Sequence, residues 1–336
     1  MTPAGRRPVS VLSGFLGSGK TTLLRRYLAE SAQSEAGIAV IINEYGAVGV
    51  DHHLVRMVKE QLILLQAGCV CCNRREDLAN TLRALLDQEQ SGEIAPIRQV
   101  VIETSGLADP LPILFTISSD PVLRHHFAAS SVVVMLSAAD ATAQIDRQPE
   151  VSQQIIAADR VVVTKPDLAT REQIARCRMK VRQLNPTAGI VVSSFGEAFD
   201  VLAPGNAPQG ARSLDKPLRV GVALGHPDVQ SAALTFSAPL DWPAFGVWLG
   251  MLLQARGPNV LRIKGLLNIG DAGPVVMNAA QHVVHPPEHL QAWPATERRP
   301  YLVFITRATD PDRIAASLQT FQNAGSRTDL RVTRCV

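Results

Sequence analysis

Hydrophobic positions between Val9 and Val192 follow two alternating patterns. Short, mostly apolar runs predict β-strands at Pro8–Leu12, Ile38–Ile42, Gln61–Leu65, Gln99–Ile102, Ser131–Leu136, Arg160–Thr164 and Gly189–Val192. Segments with the helical period predict helices at Lys20–Glu30, Arg75–Gln88, Val151–Ala157 and Thr170–Leu184. Strands that are apolar without alternation, such as VVVML, are typical of a parallel sheet buried on both faces. We therefore predict an α/β fold with a doubly wound, mainly parallel sheet.

The pattern changes after residue 202. The stretch APGNAPQGARSLDKP loses its periodicity and gathers glycine and proline, which predicts a linker at 203–217 between domains at 1–202 and 218–336. Beyond it we predict strands at Ala233–Phe236, Val260–Ile269, Val275–Val284 and Tyr301–Thr306, and helices at Pro243–Gln254 and Pro311–Asn323. This order indicates a smaller α+β domain with an antiparallel sheet.

Composition narrows the class of protein. The 336 residues are 46% hydrophobic and 19% charged, which is typical of a globular chain and excludes disorder as the dominant state. Lysine and arginine total 33 against 30 acidic residues and form no runs, so nothing favours a nucleic acid or a membrane surface as partner. The N-terminal residues contain no apolar run long enough for a signal peptide or membrane helix, so we expect a cytoplasmic protein.

A phosphate-binding motif follows the first predicted strand. Residues 14 to 21 read GFLGSGKT, a complete match to G-x-x-x-x-G-K-[ST], and a predicted helix begins within it. Such a loop turns backbone N–H groups towards phosphate oxygens, Lys20 reaches the β and γ phosphates, and Thr21 places its hydroxyl on Mg²⁺. The nucleotide-binding residues assigned here are Gly14, Gly17, Ser18, Gly19, Lys20, Thr21 and Thr22. A glycine-rich turn without a ligand is the alternative, and the flanking strand and helix argue against it.

A carboxylate for the same metal ion is predicted at the end of a neighbouring strand. The stretch QVVIETSG places Glu103 directly after apolar residues, as in a Walker B acid, and Gly106 three residues later, where its N–H can sense the γ phosphate. A surface acid at a strand end is the alternative interpretation of Glu103.

The base is predicted to be guanine. RVVVTKPD runs from an apolar strand into T-K-x-D, which differs by one residue from the N-K-x-D signature of guanine-specific enzymes. In that signature the aspartate, here Asp167, accepts hydrogen bonds from guanine N1 and N2, and the stem of Lys165 packs along the base. Thr164 stands where the signature has asparagine. A turn without a ligand is the alternative for this motif taken alone.

Three of the five cysteines lie within four positions, in AGCVCCNRR. Cys69, Cys71 and Cys72 could bind one soft cation, form a redox switch or pack in the interior, and their spacing does not choose among these. Because the remaining cysteines, Cys177 and Cys335, are isolated, a secreted disulfide framework is excluded.

The motifs occur together in the order of a known family. GFLGSGKTTLL, NEYGAVGVD, GCVCC, ETSGLADP and TKPD resemble the CobW-like GTPases, which are related to the GTPases that mature urease and hydrogenase. The chain is most similar to the YjiA-like branch, in which a threonine also precedes the lysine of the guanine signature. The second half contributes LRIKGLLNI and YLVFI, which resemble the C-terminal domain of the family.

This resemblance implies a metallochaperone that hydrolyses GTP to GDP and phosphate, slowly and with stimulation by metal. It implies that Cys69, Cys71 and Cys72 bind a transition metal, Zn²⁺ first and Co²⁺ or Ni²⁺ as alternatives, and that nucleotide state controls delivery to a client metalloprotein. Glu44 and Asp51 match the switch I segment. Both residues are candidates for Mg²⁺ coordination, for activation of water or for help in holding the transported metal, and they join Lys20 and Glu103 as catalytic candidates. Glu44 is also a candidate ligand of the transition metal, and Thr21 and Glu103 are the main candidates for Mg²⁺.

Several alternatives stay open. Zinc sites usually have four ligands, so the fourth could be Glu44, His52, His53, water, a partner chain such as a second copy in a homo-oligomer, or the client. The function could also be cobalt handling in the maturation of cobalamin or a metalloenzyme, or a GTP-regulated metal or redox sensor. An ATP-dependent small-molecule kinase would rest on the P-loop alone. The chain departs from the family at Ser137, where many members have an aspartate, so a contact of that carboxylate would be lost.

Overall fold

A computed structural model of the chain describes residues 5–31, 37–42, 62–66, 75–204, 229–270, 273–281, 283–293, 300–325 and 332–335. The chain divides into two compact units. The first comprises Met1–Arg178 and Gly189–Ala207, and the second comprises Met179–Ala188 and Pro208–Val336. Most of the predicted linker at 203–217 lies outside the described residues, so the domain boundaries at 202 and 218 stay a prediction.

The first unit contains a parallel sheet, as predicted. Within the described residues its strands are β1 (Arg7–Gly14), β2 (Gly37–Ile42), β3 (Leu62–Gln66), β4 (Ile97–Glu103), β5 (Phe127–Ser137), β6 (Arg160–Thr164) and β7 (Gly189–Ser193). Their order in space is β3-β2-β4-β1-β5-β6-β7, and every pairing is parallel. Each predicted strand is therefore present, with ends that differ by a few residues.

Helices connect these strands. They are α1 (Lys20–Ser31), α2 (Arg75–Gln90), α3 (Leu111–Ser119), α4 (Leu123–His126), α5 (Ala141–Arg147), α6 (Pro149–Ala157) and α7 (Arg171–Leu184). Helices α1, α2, α6 and α7 were predicted, whereas α3, α4 and α5 were not. Helix α3 reads LPILFTISS and is apolar on most of its surface, so it shows no helical period, and α4 has only 4 residues.

The register of the strands places their carboxyl ends at one edge of the sheet. Leu12 of β1 lies beside Glu103 of β4, and Gly14 lies beside Met135 of β5. Ser137, at the end of β5, lies beside Thr164 at the end of β6. The loops that follow β1, β4 and β6 therefore leave the sheet on the same side, where ligands bind in open parallel sheets.

The second unit contains an antiparallel sheet, also as predicted. Its described strands are β8 (Val229–Phe236), β9 (Val260–Asn268), β10 (Pro274–Ala280), β11 (Val283–Val284), β12 (Glu288–His289), β13 (Tyr301–Arg307) and β14 (Val332–Cys335). The order is β11-β10-β9-β13-β8-β14, and β12 pairs with β10. The single strand predicted at Val275–Val284 is wrong. Gln281 turns the chain with a φ of 51°, so that Ala280 pairs with Val283 in a hairpin.

Helices α8 (Trp242–Arg256) and α9 (Pro311–Gly325) supply the other half of this unit's core. Phe245 and Trp248 of α8 and Leu318 of α9 are buried with strand residues such as Phe304. Polar contacts fix the helices as well: the indole Nε1 of Trp248 donates to Ser317 Oγ at 3.0 Å, which joins α8 to α9. Among the described helices none is both long and apolar enough to cross a membrane.

Candidate functional site

The P-loop wraps between β1 and α1. Gly14, Gly17 and Gly19 have φ angles of 135°, 70° and 96°, a region that glycine adopts without the steric cost met by other residues. At Gly14 the available space also requires glycine, because an added Cβ would lie 2.4 Å from the carbonyl oxygen of Met135. The motif thus adopts the strand, loop and helix arrangement that the sequence predicted, and its first glycine packs directly against β5.

Two polar groups of the loop, the Lys20 ammonium and the Ser18 hydroxyl, are hydrogen-bond donors suited to an anion. The ammonium of Lys20 donates to the carbonyl oxygens of Gly14 and Phe15, at 2.8 and 3.2 Å, and so folds back over the loop. The side chain of Ser18 is 1% exposed, and its hydroxyl has no hydrogen-bond partner within the described residues. A buried hydroxyl of this kind is costly unless a ligand or water satisfies it, which fits a bound phosphate.

The Mg²⁺ candidates lie together. Thr21 Oγ1 donates to Glu103 Oε1 at 2.9 Å, and Glu103 is only 6% exposed. Thr21 occupies the first turn of α1, and Glu103 is the last residue of β4. A hydroxyl and a carboxylate oxygen at the N-terminus of a helix are the donor types that Mg²⁺ prefers beside nucleotide phosphates, so these residues fit that ion.

Gly106 sits directly on the P-loop. A Cβ added at this glycine would lie 2.7 Å from the backbone nitrogen of Leu16 and equally close to its side chain. The loop after β4 is tied back to β1, because Thr104 Oγ1 donates to Ser13 Oγ at 2.9 Å and the Thr104 N–H donates to the Leu12 carbonyl at 2.9 Å. Gly106, whose N–H is predicted to contact the γ phosphate, therefore lies directly against the P-loop, which is predicted to bind the phosphates.

Thr164 joins the base motif to the P-loop. Its hydroxyl Oγ1 lies 2.8 Å from the carbonyl oxygen of Ser18 and 3.1 Å from that of Leu136. The residue is buried at the end of β6, and its own carbonyl accepts from the Ala138 N–H at 2.8 Å. A threonine at this position therefore still provides a side-chain hydrogen bond to the phosphate loop, although it replaces the asparagine of the guanine signature.

Lys165 and Asp167 follow at the same edge. Lys165 is half-buried with a left-handed φ of 53°, and it leads into the short 3₁₀ turn Pro166–Leu168. Asp167 lies in that turn with an exposed side chain. Strain at a residue with a Cβ is common at ligand sites, and an exposed carboxylate leaves its oxygens accessible to a base. This arrangement is compatible with the predicted contact to guanine.

Ser137 has a carboxylate neighbour of its own. Its hydroxyl donates to Asp140 Oδ2 at 3.0 Å, three residues further along the chain. Many members of the family that this chain resembles have an aspartate at the position of Ser137. Asp140 therefore places a carboxylate beside Ser137, the residue that stands where many family members have an aspartate.

The predicted transition-metal site lies outside the described residues. This applies to Cys69, Cys71, Cys72, Glu44 and Asp51. Within the described parts of the chain, no three histidine, cysteine, aspartate or glutamate side chains form a group that could hold a metal ion. Of the other cysteines, Cys177 is buried, and burial raises the pKa of its thiol to about 11. It therefore stays protonated at neutral pH and is a poor metal ligand.

Gln154 was not among the predicted site residues. This residue of α6 is fully buried, and its side chain contacts the loop that contains Gly106. The available signal was a polar residue among the buried positions of an apolar helix, which is unusual unless its side chain is hydrogen-bonded.

Two family models match the chain in separate parts. The model described as CobW/HypB/UreG, nucleotide-binding domain, matches residues 8–192. The model described as cobalamin synthesis protein cobW C-terminal domain matches residues 229–322. The first contains the P-loop, Glu103 and the base motif, and the second corresponds to the antiparallel sheet with its helices.

Individual proteins give a consistent result. The zinc chaperone YjiA of Escherichia coli is 32% identical over 262 residues, which are 77% of this chain and 81% of that protein. The zinc chaperone CobW of a Sinorhizobium species is 24% identical over 93% of this chain and 95% of its own length. The crystal structure of Zn(II)-bound YjiA GTPase from E. coli superposes with a TM-score of 0.68 at 26% identity, covering 96% of this chain and 99% of that one.

The structure and these comparisons agree on both halves of the molecule. A phosphate loop, a buried strand-end acid and a base motif share one edge of a parallel sheet, and a separate antiparallel unit follows. Because the first model covers residues 8–192 of 336, more than half of the sequence, the chain belongs to the CobW/HypB/UreG family.

Proposed function

We propose that the protein is a GTP-hydrolysing metallochaperone that binds zinc at Cys69, Cys71 and Cys72 and transfers it to a client metalloprotein under the control of nucleotide state. The observation that carries this proposal is the assembly of the P-loop, Glu103 and the T-K-P-D motif at one edge of the sheet, in a chain whose similar proteins are named zinc chaperones.

Hydrogen-bond donors support phosphate binding at one end of the proposed site. The turn of the P-loop, the ammonium of Lys20 and the buried hydroxyl of Ser18 provide donors for a polyphosphate, and the N-terminus of α1 adds its partial positive charge. Bound Mg²⁺ would supply charge that offsets the negative charge on the phosphate oxygens. Thr21 and Glu103 are the residues that would hold it, and Gly106 lies where its N–H can approach the γ phosphate.

The base end supports GTP over ATP. An aspartate carboxylate accepts two hydrogen bonds from the N1–H and N2–H₂ groups of guanine, whereas adenine has no such pair of donors. Asp167 is exposed in a turn that is separated from β6 by a single residue, and Thr164 anchors the start of that motif to the P-loop. Glu44 and Asp51 remain the candidates for orienting the attacking water.

Chain connectivity supports a link between the cysteines and the phosphates. Ile42, at the end of β2, lies beside both Gln66 of β3 and Glu103 of β4, so Gln66 is two strands, or about 10 Å, from Glu103. Cys69 follows Gln66 by three residues, and three residues span at most about 11 Å. The cysteine segment therefore begins within reach of the nucleotide edge, which would allow nucleotide state to change the metal geometry.

Three thiolates leave one position of a tetrahedral zinc site for another ligand, which suits a site that transfers its metal. We propose the cytoplasm as its location, because free thiols persist in a reducing compartment. A named relative, the zinc-regulated GTPase metalloprotein activator 1 of Schizosaccharomyces pombe, is 28% identical over 58% of this chain and 47% of its own length. The name of that relative, an activator of metalloproteins, supports a client metalloprotein as the partner.

Replacing Asp167 with alanine tests the choice of nucleotide. The preference for GTP over ATP is expected to fall about a hundredfold, because hydrogen bonds to a charged group contribute about 1.5–3 kcal/mol each. The measurement is the dissociation constants of GDP and ADP for both proteins. Asp87→Ala, which removes an exposed carboxylate from α2, is the matched control and should keep the preference. An unchanged preference in Asp167→Ala would support the small-molecule kinase alternative and contradict the proposal.

A further inference from the structure

Helix α6 contacts the loop of the predicted γ-phosphate sensor through one side chain. The amide Nε2 of Gln154 donates to the carbonyl oxygen of Gly106 at 3.1 Å and to that of Ala108 at 3.0 Å. Gln154 is fully buried. Both N–H groups of one amide are therefore committed to the backbone of a loop nearly fifty positions earlier in the chain.

The helix that carries this side chain is itself fixed on two sides. Ser152 Oγ donates to the Ile145 carbonyl at 3.3 Å, which ties α6 to α5. Just after α6, the carboxylate of Asp159 accepts from the Val132 N–H at 2.9 Å, and its carbonyl accepts from the Gly189 N–H at 2.9 Å. Gln154 therefore connects the loop to a support that is anchored to both β5 and β7.

The loop needs such a support at Gly106. Glycine has the widest choice of backbone angles, so an unrestrained Gly106 would sample several orientations of its peptide groups. Hydrogen bonds to the carbonyls of Gly106 and Ala108 restrict the peptide planes that follow these two residues. The side chain of Leu107, which lies between them, is exposed and makes little contribution to holding the loop. With Leu16 of the P-loop packed closely against it, Gly106 is restrained by both the P-loop and Gln154.

Stability alone does not account for a glutamine at this position. Its Oε1 is buried and has no hydrogen-bond partner among the residues that the structure describes. A buried carbonyl in that condition is destabilising, which offsets part of what the two donated hydrogen bonds contribute to stability. The amide is retained together with this cost, which points to the two donated hydrogen bonds as the reason for it.

We propose that Gln154 is a positioning residue for recognition of the γ phosphate. The Gly106 N–H belongs to the same peptide as the Ser105 carbonyl, which accepts from the Ala108 N–H at 3.2 Å. By fixing the carbonyls of Gly106 and Ala108, Gln154 supports this turn and so holds the Gly106 N–H in the orientation that distinguishes a nucleoside triphosphate from a diphosphate. The identity of the ligand as GTP rests on the proposed function. Gln154 itself contacts neither nucleotide nor metal in this proposal.

The test compares two affinities in the full chain. The variant Gln154→Met keeps the length of the side chain and removes both donors. Dissociation constants are measured for GDP and for a non-hydrolysable GTP analogue, both with Mg²⁺ present. We expect the analogue to bind about tenfold more weakly, a change of about 1.4 kcal/mol, and GDP to bind within about twofold of the unaltered protein. Gln153→Met is the control, since Gln153 is the neighbouring, partly exposed glutamine of α6.

Each outcome of these measurements supports or overturns the proposed role of Gln154. Weaker binding of the analogue alone supports the proposal. Equal weakening of both nucleotides assigns Gln154 a structural role only and overturns it, as does no change in either affinity. If thermal unfolding shows that Gln154→Met is not folded, Gln154→Leu is measured and judged by the same outcomes. The proposed function fails separately, when the unaltered protein does not hydrolyse GTP, because the two affinities are measured without hydrolysis.

Discussion

Gly14→Ala is expected to abolish nucleotide binding. The new Cβ would lie 2.4 Å from the Met135 carbonyl oxygen and 2.9 Å from both Met135 N and Ser18 Oγ. Because two of these three contacts are with the backbone of a central buried strand, no side-chain movement relieves them. The loop must therefore move away from β5, and the donors of Lys20 and Ser18 move with it. We expect the dissociation constant for GDP to rise by at least about a hundredfold.

The same substitution should destabilise the fold. Overpacking of a tight core site costs about 1–3 kcal/mol, and a left-handed backbone at a residue with a Cβ adds about 1–2 kcal/mol. Chemical denaturation measures this change in the free energy of unfolding. Gly5→Ala separates the two causes, because Gly5 also has a positive φ of 103° but no atom within 4 Å of the added Cβ. GDP binding by Gly14→Ala at the unaltered affinity would show that the phosphate site is elsewhere.

Replacing Cys69, Cys71 and Cys72 together with serine is expected to remove high-affinity zinc binding. Serine hydroxyls stay protonated at neutral pH and are poor ligands for zinc, so at most the fourth ligand and water would remain. We expect the dissociation constant for Zn²⁺ to rise by at least about a thousandfold, and any stimulation of GTP turnover by zinc to disappear. Competition with a chromogenic chelator measures the affinity, and phosphate release measures the turnover.

Cys177→Ser is the matched control for that variant. Cys177 is buried, and burial raises the pKa of its thiol to about 11, so it provides no thiolate near neutral pH. The control should therefore bind zinc as the unaltered protein does. Retention of tight zinc binding by the three-serine protein would place the metal elsewhere. Zinc binding that is lost on mild oxidation, in a protein whose turnover never responds to zinc, would favour the sensor alternative.

The strands of the first unit could be predicted from the sequence because of how such sheets are built. A strand covered by helices on both faces must be apolar along its whole length, so runs such as those of β5 and β6 are distinctive. The hairpin between β10 and β11 could not be predicted in this way. Its turn contains neither glycine nor proline, and Gln281 adopts the left-handed conformation instead.

The parts of the candidate site that consist of consecutive residues could be predicted from the sequence. The P-loop is a strand, a loop and a helix start in consecutive residues, and its motif specifies all three. The glutamine at position 154 is an unusual polar residue on the apolar helix α6, but its partner, Gly106, depends on how that helix packs against a distant loop, which the pattern of α6 does not indicate. The hydrogen bond from Thr164 to Ser18 likewise depends on packing, in this case between β6 and the P-loop.

In the proposed function, nucleotide state controls a metal site at Cys69, Cys71 and Cys72. The most direct measurement is the affinity of the full chain for Zn²⁺ and for Co²⁺, each with GDP and with a non-hydrolysable GTP analogue. Zinc is expected to bind more tightly than cobalt. Its affinity is expected to differ by about fivefold or more between the two nucleotides, which is the lower end of ordinary coupling between sites. Identical zinc affinities with the two nucleotides would contradict the proposed function.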